Sequence, residues 1–361
     1  MRAELPRRSG DGLQREATRR MRVGIVGVGR TAAGHAAAAL AYPGASVTAV
    51  AEVDAEKGRA FAGRFGAQWF ADFRDLCAGD VDVVVVTVPN FLHAPAVLAA
   101  VAHGRHVLCE KPLALDTREC ERIIASAAAA GVQVGVAHHY HFTAPTVAAR
   151  RAFQELDLGR PVMATDIWHK SFYDPPQRPP WFLQSSTGGG MWPMNGSHLV
   201  DRLMHTTGLG VSSVRAAVGS PFWGHDATDA GHAFLVFEAG FTASVAHAGY
   251  REGCDRFETE FVCERGMLRV TDREVAVGRG GAWTPIPLPA VHTFRDQFAA
   301  FASACERGTE PPVSAAWGRD VVAVLEACEL SGRSGREVQV ADVVAAARRS
   351  AAAESGAAPG R

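Results

Sequence analysis

The sequence predicts an α/β protein with two unlike parts: a doubly wound parallel sheet, then an α+β unit built on a large, mostly antiparallel open sheet. Three observations carry this. Short apolar runs alternate with helical runs over residues 21–140, the pattern of a parallel sheet covered on both faces. The run Val81-Asp82-Val83-Val84-Val85-Val86-Thr87 is almost wholly apolar, as a strand buried on both sides requires. Beyond Pro161 the strands follow one another through tight turns, at Glu238-Ala239-Gly240 and Glu264-Arg265-Gly266, which pairs neighbours antiparallel.

The first strand lies in MRVGIVGVGR, residues 21–30, around Val23, Ile25 and Val26. Gly27-Val28-Gly29 follows, Ala32 fills the third place of a G-x-G-x-x-G/A pattern, and a helix-forming run extends to Ala41. Gly27 permits the sharp turn, and Gly29 lets the backbone approach a pyrophosphate. The helix N-terminus, with Arg30 and Thr31 beside it, offers free N–H groups and a partial positive charge. This is the opening of a dinucleotide-binding Rossmann unit. A second strand, residues 46–53, carries Glu52 about twenty residues beyond the glycines, where a carboxylate hydrogen-bonds the adenosine ribose. Such a carboxylate repels a 2′-phosphate, which favours NAD over NADP. Asp54 is placed to share that role and Arg59 to soften it; the alternative for Glu52 is a solvated charge at a strand end.

Helix 55–65, strand 68–70, helix 72–78, strand 81–87, helix 94–102, strand 106–109, helix 117–130 and strand 132–136 continue the alternation. Two segments sit at carboxyl ends of strands, the side on which such sheets bind ligands. One is Thr87-Val88-Pro89-Asn90-Phe91-Leu92-His93; the other is Cys109-Glu110-Lys111-Pro112. A lysine in the second can donate to a substrate oxygen and a cofactor ribose, and burial there lowers its pKa.

The stretch VTVPNFLHAPAVLAAVAHGRHVLCEKPLAL closely resembles the Gfo/Idh/MocA oxidoreductases, the glucose–fructose oxidoreductases, inositol dehydrogenases and their relatives. The resemblance runs from Met21 to roughly residue 340, with E-K-P its most specific part. It implies a catalytic role for Lys111, and nicotinamide contacts for Pro89, Asn90 and His93, with Glu110 in the cofactor set. A helix-capping role is the alternative for His93.

Residues 136–142 read as the crossover, followed by a helix over 146–156 and a strand over 161–170. The resemblance places substrate-facing side chains in the crossover, where Tyr140 and His141 stand. His138, His139 and His141 have no partnering cysteine or acid cluster, so no metal is expected. The loop SFYDPPQRPPWFLQ, residues 171–184, has four prolines that exclude regular structure; Tyr173, Trp181 and Phe182 either cover a pocket or pack on a partner subunit.

The segment Gly188-Gly189-Gly190-Met191-Trp192-Pro193-Met194-Asn195-Gly196-Ser197-His198-Leu199-Val200-Asp201 is similar to the family's G-G-G-x-x-x-D-x-G-x-H-x-x-D motif. The similarity implies that His198 is the general base and that Asp201 is mainly structural. An imidazole suits proton removal from an alcohol. The departure is Met194, where the family has an aspartate that orients the histidine. Asn195 is the nearest substitute, a donor without charge that also faces substrate if the loop shifts; His169, Lys170 and Tyr140 are other candidates. Strands over 211–218, 229–237, 241–248, 256–263 and 266–270 and helices over 293–307 and 315–330 complete the chain.

The bulk numbers agree with an enzyme rather than a nucleic-acid or membrane-surface binder: 361 residues, 47% hydrophobic, net charge -1. Seven scattered cysteines with no C-x-x-C pair suggest reduced thiols in a cytoplasm, and no apolar run reaches transmembrane length. Residues 1–20, arginine-rich and without an apolar core, read as a disordered leader; residues 21–140 as the nucleotide-binding domain; 141–343 as the substrate and oligomerisation domain; 344–361 as a flexible tail. The resemblance implies an NAD-dependent dehydrogenase, NADP remaining possible, acting on a small polyol, cyclitol or sugar as a homodimer or homotetramer. The alternatives are NADP-dependent reduction of a keto intermediate, NAD-assisted elimination or epimerisation, or a nucleotide-binding pseudoenzyme because of Met194.

Overall fold

The structure, a computed structural model, describes residues 20–171 and 178–356. The expected leader therefore lies outside the described residues, apart from Arg20, as does Tyr173. The first sheet is wholly parallel, with β1 (Met21–Val26), β2 (Ala45–Ala51), β3 (Gln68–Phe70), β4 (Val83–Val86), β5 (His106–Glu110) and β6 (Val134–Ala137) in the order β3-β2-β1-β4-β5-β6. Helices α1 (Ala32–Ala41), α2 (Ala55–Gly63), α3 (Phe73–Ala78), α4 (His93–Ala102) and α5 (Thr117–Ala130) connect them. Strand order reverses between β1 and β4, so the turn after β1 and the Thr87–His93 segment emerge side by side at a switch point. All four valines of β4 are fully buried, which is why that strand is continuously apolar.

The second sheet has nine strands: β7 (Pro161–Ser171), β8 (Val211–Gly219), β9 (Ala230–Phe237), β10 (Thr242–Tyr250), β11 (Arg256–Cys263), β12 (Gly266–Thr271), β13 (Val275–Arg279), β14 (Ala282–Ile286) and β15 (Val338–Gln339). Its order is β14-β13-β12-β11-β7-β10-β9-β8-β15, antiparallel except for the β7–β10 pair. Helices α6 (Ala144–Glu155), α7 (Ser197–Thr207) and α9 (Ala315–Ser334) cover one face, burying Leu199, Leu203 and Val324 against Ala233, Val245 and Phe261. Among the described residues no helix covers the other face, where Met163 and Phe234 are exposed.

Two expectations about boundaries need correction. Helix α8 (Thr293–Arg307) does not belong to the second core: Phe298, Phe301 and Ala302 pack with Val23, Ile25 and Val85 of the first. The cut at residue 140 therefore separates the chain in sequence but not in space. Residues 344–356, expected to be a flexible tail, lie in helix α10 (Val340–Gly356), with Ala347 buried and Arg348 Nε 3.0 Å from Glu121 Oε1 on α5. Alanine-rich composition there expresses strong helix propensity, not low complexity.

Candidate active site

Gly27 leaves β1 with φ +87°, and a Cβ there would stand 2.8 Å from Val88 Cγ1, so both the turn and its packing demand glycine. Gly29 is exposed, with the Thr87 carbonyl oxygen 3.1 Å from where its Cβ would be. Arg30 is also exposed, and Thr31 precedes α1 without a side-chain cap on that helix's N–H groups. Glu52 closes the other side of the turn: its Oε2 accepts from Val28 N at 2.8 Å and its Oε1 from Asp54 N at 3.2 Å. Asp54 is occupied capping α2 through the N–H groups of Glu56 and Lys57, and the Arg59 guanidinium lies 4.6 Å over the Trp69 ring. Of these three side chains, Glu52 alone stays at the mouth of the glycine turn. An open glycine cradle, an uncapped ten-residue helix and one carboxylate fit a dinucleotide without a 2′-phosphate.

The two strand-end segments are tied together and to the second domain. Buried Asn90 donates from Nδ2 to the Gly188 carbonyl at 2.7 Å and lies 3.0 Å from the Met194 sulfur. His93 is buried with Nδ1 2.7 Å from the Pro112 carbonyl and Nε2 3.0 Å from that of Val88. Both ring nitrogens face protein carbonyls, so His93 straps the two segments to each other. Pro89 is half-buried beside Asn90. Glu110 is buried, with Oε1 2.9 Å from Nε2 of His35 on α1. Burial alone would raise the Glu110 carboxyl, but His35 and the Lys111 charge outweigh it and hold it at about 2. His35 escaped the sequence reading; its signal was a lone polar ring inside the apolar run of α1.

Half-buried Lys111 donates from Nζ to the Met194 carbonyl at 2.7 Å. Burial lowers its pKa to about 8, Glu110 pulling it up and Lys170 pushing it further down. Met194 lies in a single π-helical turn, Trp192–Gly196, that runs directly into α7, and His198 occupies the first turn of α7. Amine and imidazole from different domains therefore meet at one turn of helix. His198 is 4% exposed, enclosed by Tyr140, His139, Trp168 and His138 at ring-centroid distances of 4.6, 5.1, 6.0 and 6.5 Å. Burial, then the Lys111 charge, pushes its pKa well below the ordinary imidazole value.

Among the described residues no carboxylate bonds to Met194 or stands in its place in the turn. The Met194 sulfur takes Asn90, its carbonyl takes Lys111 and the Ser197 hydroxyl, and its side chain packs with Phe182 and Met191. Asn195 is buried with Nδ2 unpartnered, so it makes no bond to His198. Tyr140, expected to face substrate, packs edge-on to His198. His141 turns the other way: its Nε2 is 2.7 Å from Asp201 Oδ1 and its ring stacks on His205 at 3.6 Å. Trp181 packs at the edge of Phe182 in the cluster that holds Met194, away from the rings around His198. Asp201 is fully buried and held well below the usual carboxylate range by His138, His141 and Trp317 against the opposing effect of burial. Strand alternation puts Trp168 and Lys170 on one face of β7, the Lys170 ammonium 5.2 Å over the indole, and His169 on the other. Among the described residues no group of three His, Cys, Asp or Glu side chains is arranged to hold a metal.

Family comparison agrees with this geometry. Residues 21–138 match the oxidoreductase family with an NAD-binding Rossmann fold, and residues 146–269 match the GFO/IDH/MocA C-terminal domain. The chain belongs to the GFO/IDH/MocA oxidoreductase family. It is 32% identical to inositol 2-dehydrogenase 1 of Saccharopolyspora erythraea over 89% of this chain and 96% of that one. It is 29% identical to 1,5-anhydro-D-fructose reductase of Ensifer adhaerens over 80% of this chain and 90% of that one. The fold matches the WlbA dehydrogenase of Bordetella pertussis, solved with NADH and UDP-GlcNAcA, with a TM-score of 0.78 at 24% identity over 89% and 98% of the two chains. As a GFO/IDH/MocA protein this chain is an NAD-binding oxidoreductase. In this chain Lys111 reaches the turn that precedes His198 and its charge acts on that ring, whereas Met194 supplies no carboxylate.

Proposed function

We propose that this oxidoreductase interconverts a secondary alcohol and a ketone on a sugar, cyclitol or similar small polyol, using NAD. The observation that carries the reading is the contact of Lys111 Nζ with the Met194 carbonyl, one turn before His198. It puts a cation and a neutral imidazole at the same wall of the cleft. Gly27, Gly29, Arg30, Thr31 and Glu52 would hold the dinucleotide, with Pro89 and Asn90 near its nicotinamide. Bound NAD supplies the hydride acceptor. His198 takes the hydroxyl proton, its low pKa keeping the lone pair free at neutral pH. Lys111 donates to the same oxygen and stabilises negative charge as it develops there. Ketone reduction uses the same two groups in the opposite sense. Tyr140 and Trp168 line the substrate side, flat apolar surfaces suited to a sugar ring.

The open face of the nine-stranded sheet is assigned to a second copy of the chain, giving a homodimer or homotetramer. The free thiols, six of seven buried, fit a cytoplasmic protein. Among the described residues no helix is long and apolar enough to cross a membrane.

The test is turnover of NAD with a panel including myo-inositol, and of NADH with 1,5-anhydro-D-fructose. Lys111→Ala and His198→Asn should each lower kcat/KM by a factor on the order of 100 or more while NADH fluorescence binding persists. Turnover unchanged in Lys111→Ala would remove the catalytic assignment.

A further inference from the structure

A base that accepts a proton on one ring nitrogen must carry its own proton on the other, and that proton needs an acceptor. His198 Nδ1 is buried and unpartnered. The groups of Met194 are already engaged by Lys111, Ser197 and Asn90, and the free amide nitrogen of Asn195 is a donor. One neighbouring ring, however, connects to a buried anion. His138 is fully buried, neither ring nitrogen has a hydrogen-bond partner, and its Nδ1 stands 3.5 Å from Asp201 Oδ2. That carboxylate oxygen is also unpartnered, while Oδ1 is fixed by His141 and by Trp317 Nε1, each at 2.7 Å. Burial lowers the His138 pKa to about 4 despite Asp201, so the ring is neutral, with one N–H and one lone pair. An N–H on Nδ1 aimed at Asp201 leaves the lone pair on Nε2. The His138 and His198 rings are 6.5 Å apart and perpendicular at 87°. That spacing is too wide for a direct bond and suits about one bridging water between polar buried atoms.

We propose that Asp201, acting through His138, orients His198: Asp201 fixes the His138 tautomer, and the His138 Nε2 lone pair anchors one bridging water that accepts a hydrogen bond from His198 Nδ1–H, so that the proton stays on Nδ1 and Nε2 of His198 faces substrate. His138 and Asp201 are then positioning residues that replace the carboxylate lost at position 194. This rests on the reading of His198 as the base, but its test does not need turnover.

Long-range proton–nitrogen spectra of the full chain labelled with nitrogen-15 histidine report the tautomer of each ring, His198 being assigned with His198→Gln. The unaltered protein should show His198 as the Nδ1–H tautomer. His138→Phe should abolish that preference, and His138→Gln, which can still accept and donate, should keep it. With a polyol that is turned over, kcat should fall on the order of 10- to 100-fold in His138→Phe and recover in His138→Gln. An Nε2–H tautomer in the unaltered protein overturns the proposal even if His138→Phe fails to fold, and so does a His198 tautomer indifferent to His138→Phe. Failure of every polyol to react would instead count against His198 as base, with the tautomer result standing apart.

Discussion

At the residue scale the chemistry turns on one depressed lysine. Lys111, at about 8, sits below the ordinary lysine value because burial disfavours its charge, and Glu110 restores part of the loss. If the ammonium must donate to substrate, kcat/KM falls as pH rises through about 8. Removing the Glu110 charge withdraws the group that raises Lys111, so Glu110→Gln should move this alkaline limb down by about one unit. The pH profile of both proteins checks it, and a limb that stays in place shows that another group titrates there. No acid limb is expected near the ordinary imidazole value, because His198 is already neutral well below it. Glu52 makes a separate claim. Its carboxylate spans the glycine turn to Val28 N, so Glu52→Ala should weaken NADH binding about 10-fold, the scale of one charge-assisted hydrogen bond. Titration of wild-type protein in which NADPH binds more tightly than NADH would contradict the role. Glu52, Lys111 and His198 could be singled out in the sequence, Glu52 by its spacing beyond the glycines, and Lys111 and His198 by the resemblance of their segments to the family's motifs. The partners of the His93 and His141 rings were not legible, since which way a ring turns depends on carbonyls and carboxylates contributed from 5 to 60 residues away.

At the scale of elements, the parallel sheet was readable nearly strand by strand, since each buried strand is a short apolar run and three of its helices begin on a recognisable cap. Asp54, Asp72 and Asp116 all cap helices in the first domain, and Gly131 ends α5 in a left-handed conformation. What composition hid was β13 and β14, whose exposed positions and Pro285 resemble a loop, and α10, whose alanines resemble a frayed end. The π-turn before α7 was equally silent, because no residue type specifies one extra residue in a helical turn. The turn after β1 provides the test at this scale. A side chain at position 27 meets Val88 and must accept φ +87°. Gly27→Ala should therefore destabilise the fold by about 1–2 kcal/mol from backbone conformation alone. If the displaced turn is the phosphate cradle, NADH affinity should fall more than stability does. Thermal melts with and without NADH separate the two losses; a variant that binds NADH normally would show that the turn does not grip the pyrophosphate.

At the scale of the molecule, the chain crosses back on itself in a way no linear division records. Helix α8 returns to pack Phe298 and Phe301 in the first core, and α9 contributes Val322 to the first core and Val321 and Val324 to the second. Since α9 belongs to both, the lysine on one domain and the histidine on the other are held by shared core, which favours a cleft of fixed width over freely hinged halves. The open sheet face supplies the last consequence. Phe234 is 48% and Met163 52% exposed, and register places them on the same outward side: Phe234 pairs with Ser244, Ser244 with Thr165, and Met163 lies two residues from Thr165. The central strand between them shows Thr242, Ser244, Ala246 and Ala248, a flat surface of small side chains. Large apolar groups flanking a flat sheet are costly in water and suit a matching copy of the same face. Light scattering on the eluting protein should therefore give a multiple of the 38.3 kDa chain. Phe234→Lys should shift it toward the monomer with little effect on NADH binding, since the nucleotide cradle lies on the other domain. A wild-type protein that elutes as a monomer at micromolar concentration would leave this face without a partner of its own kind.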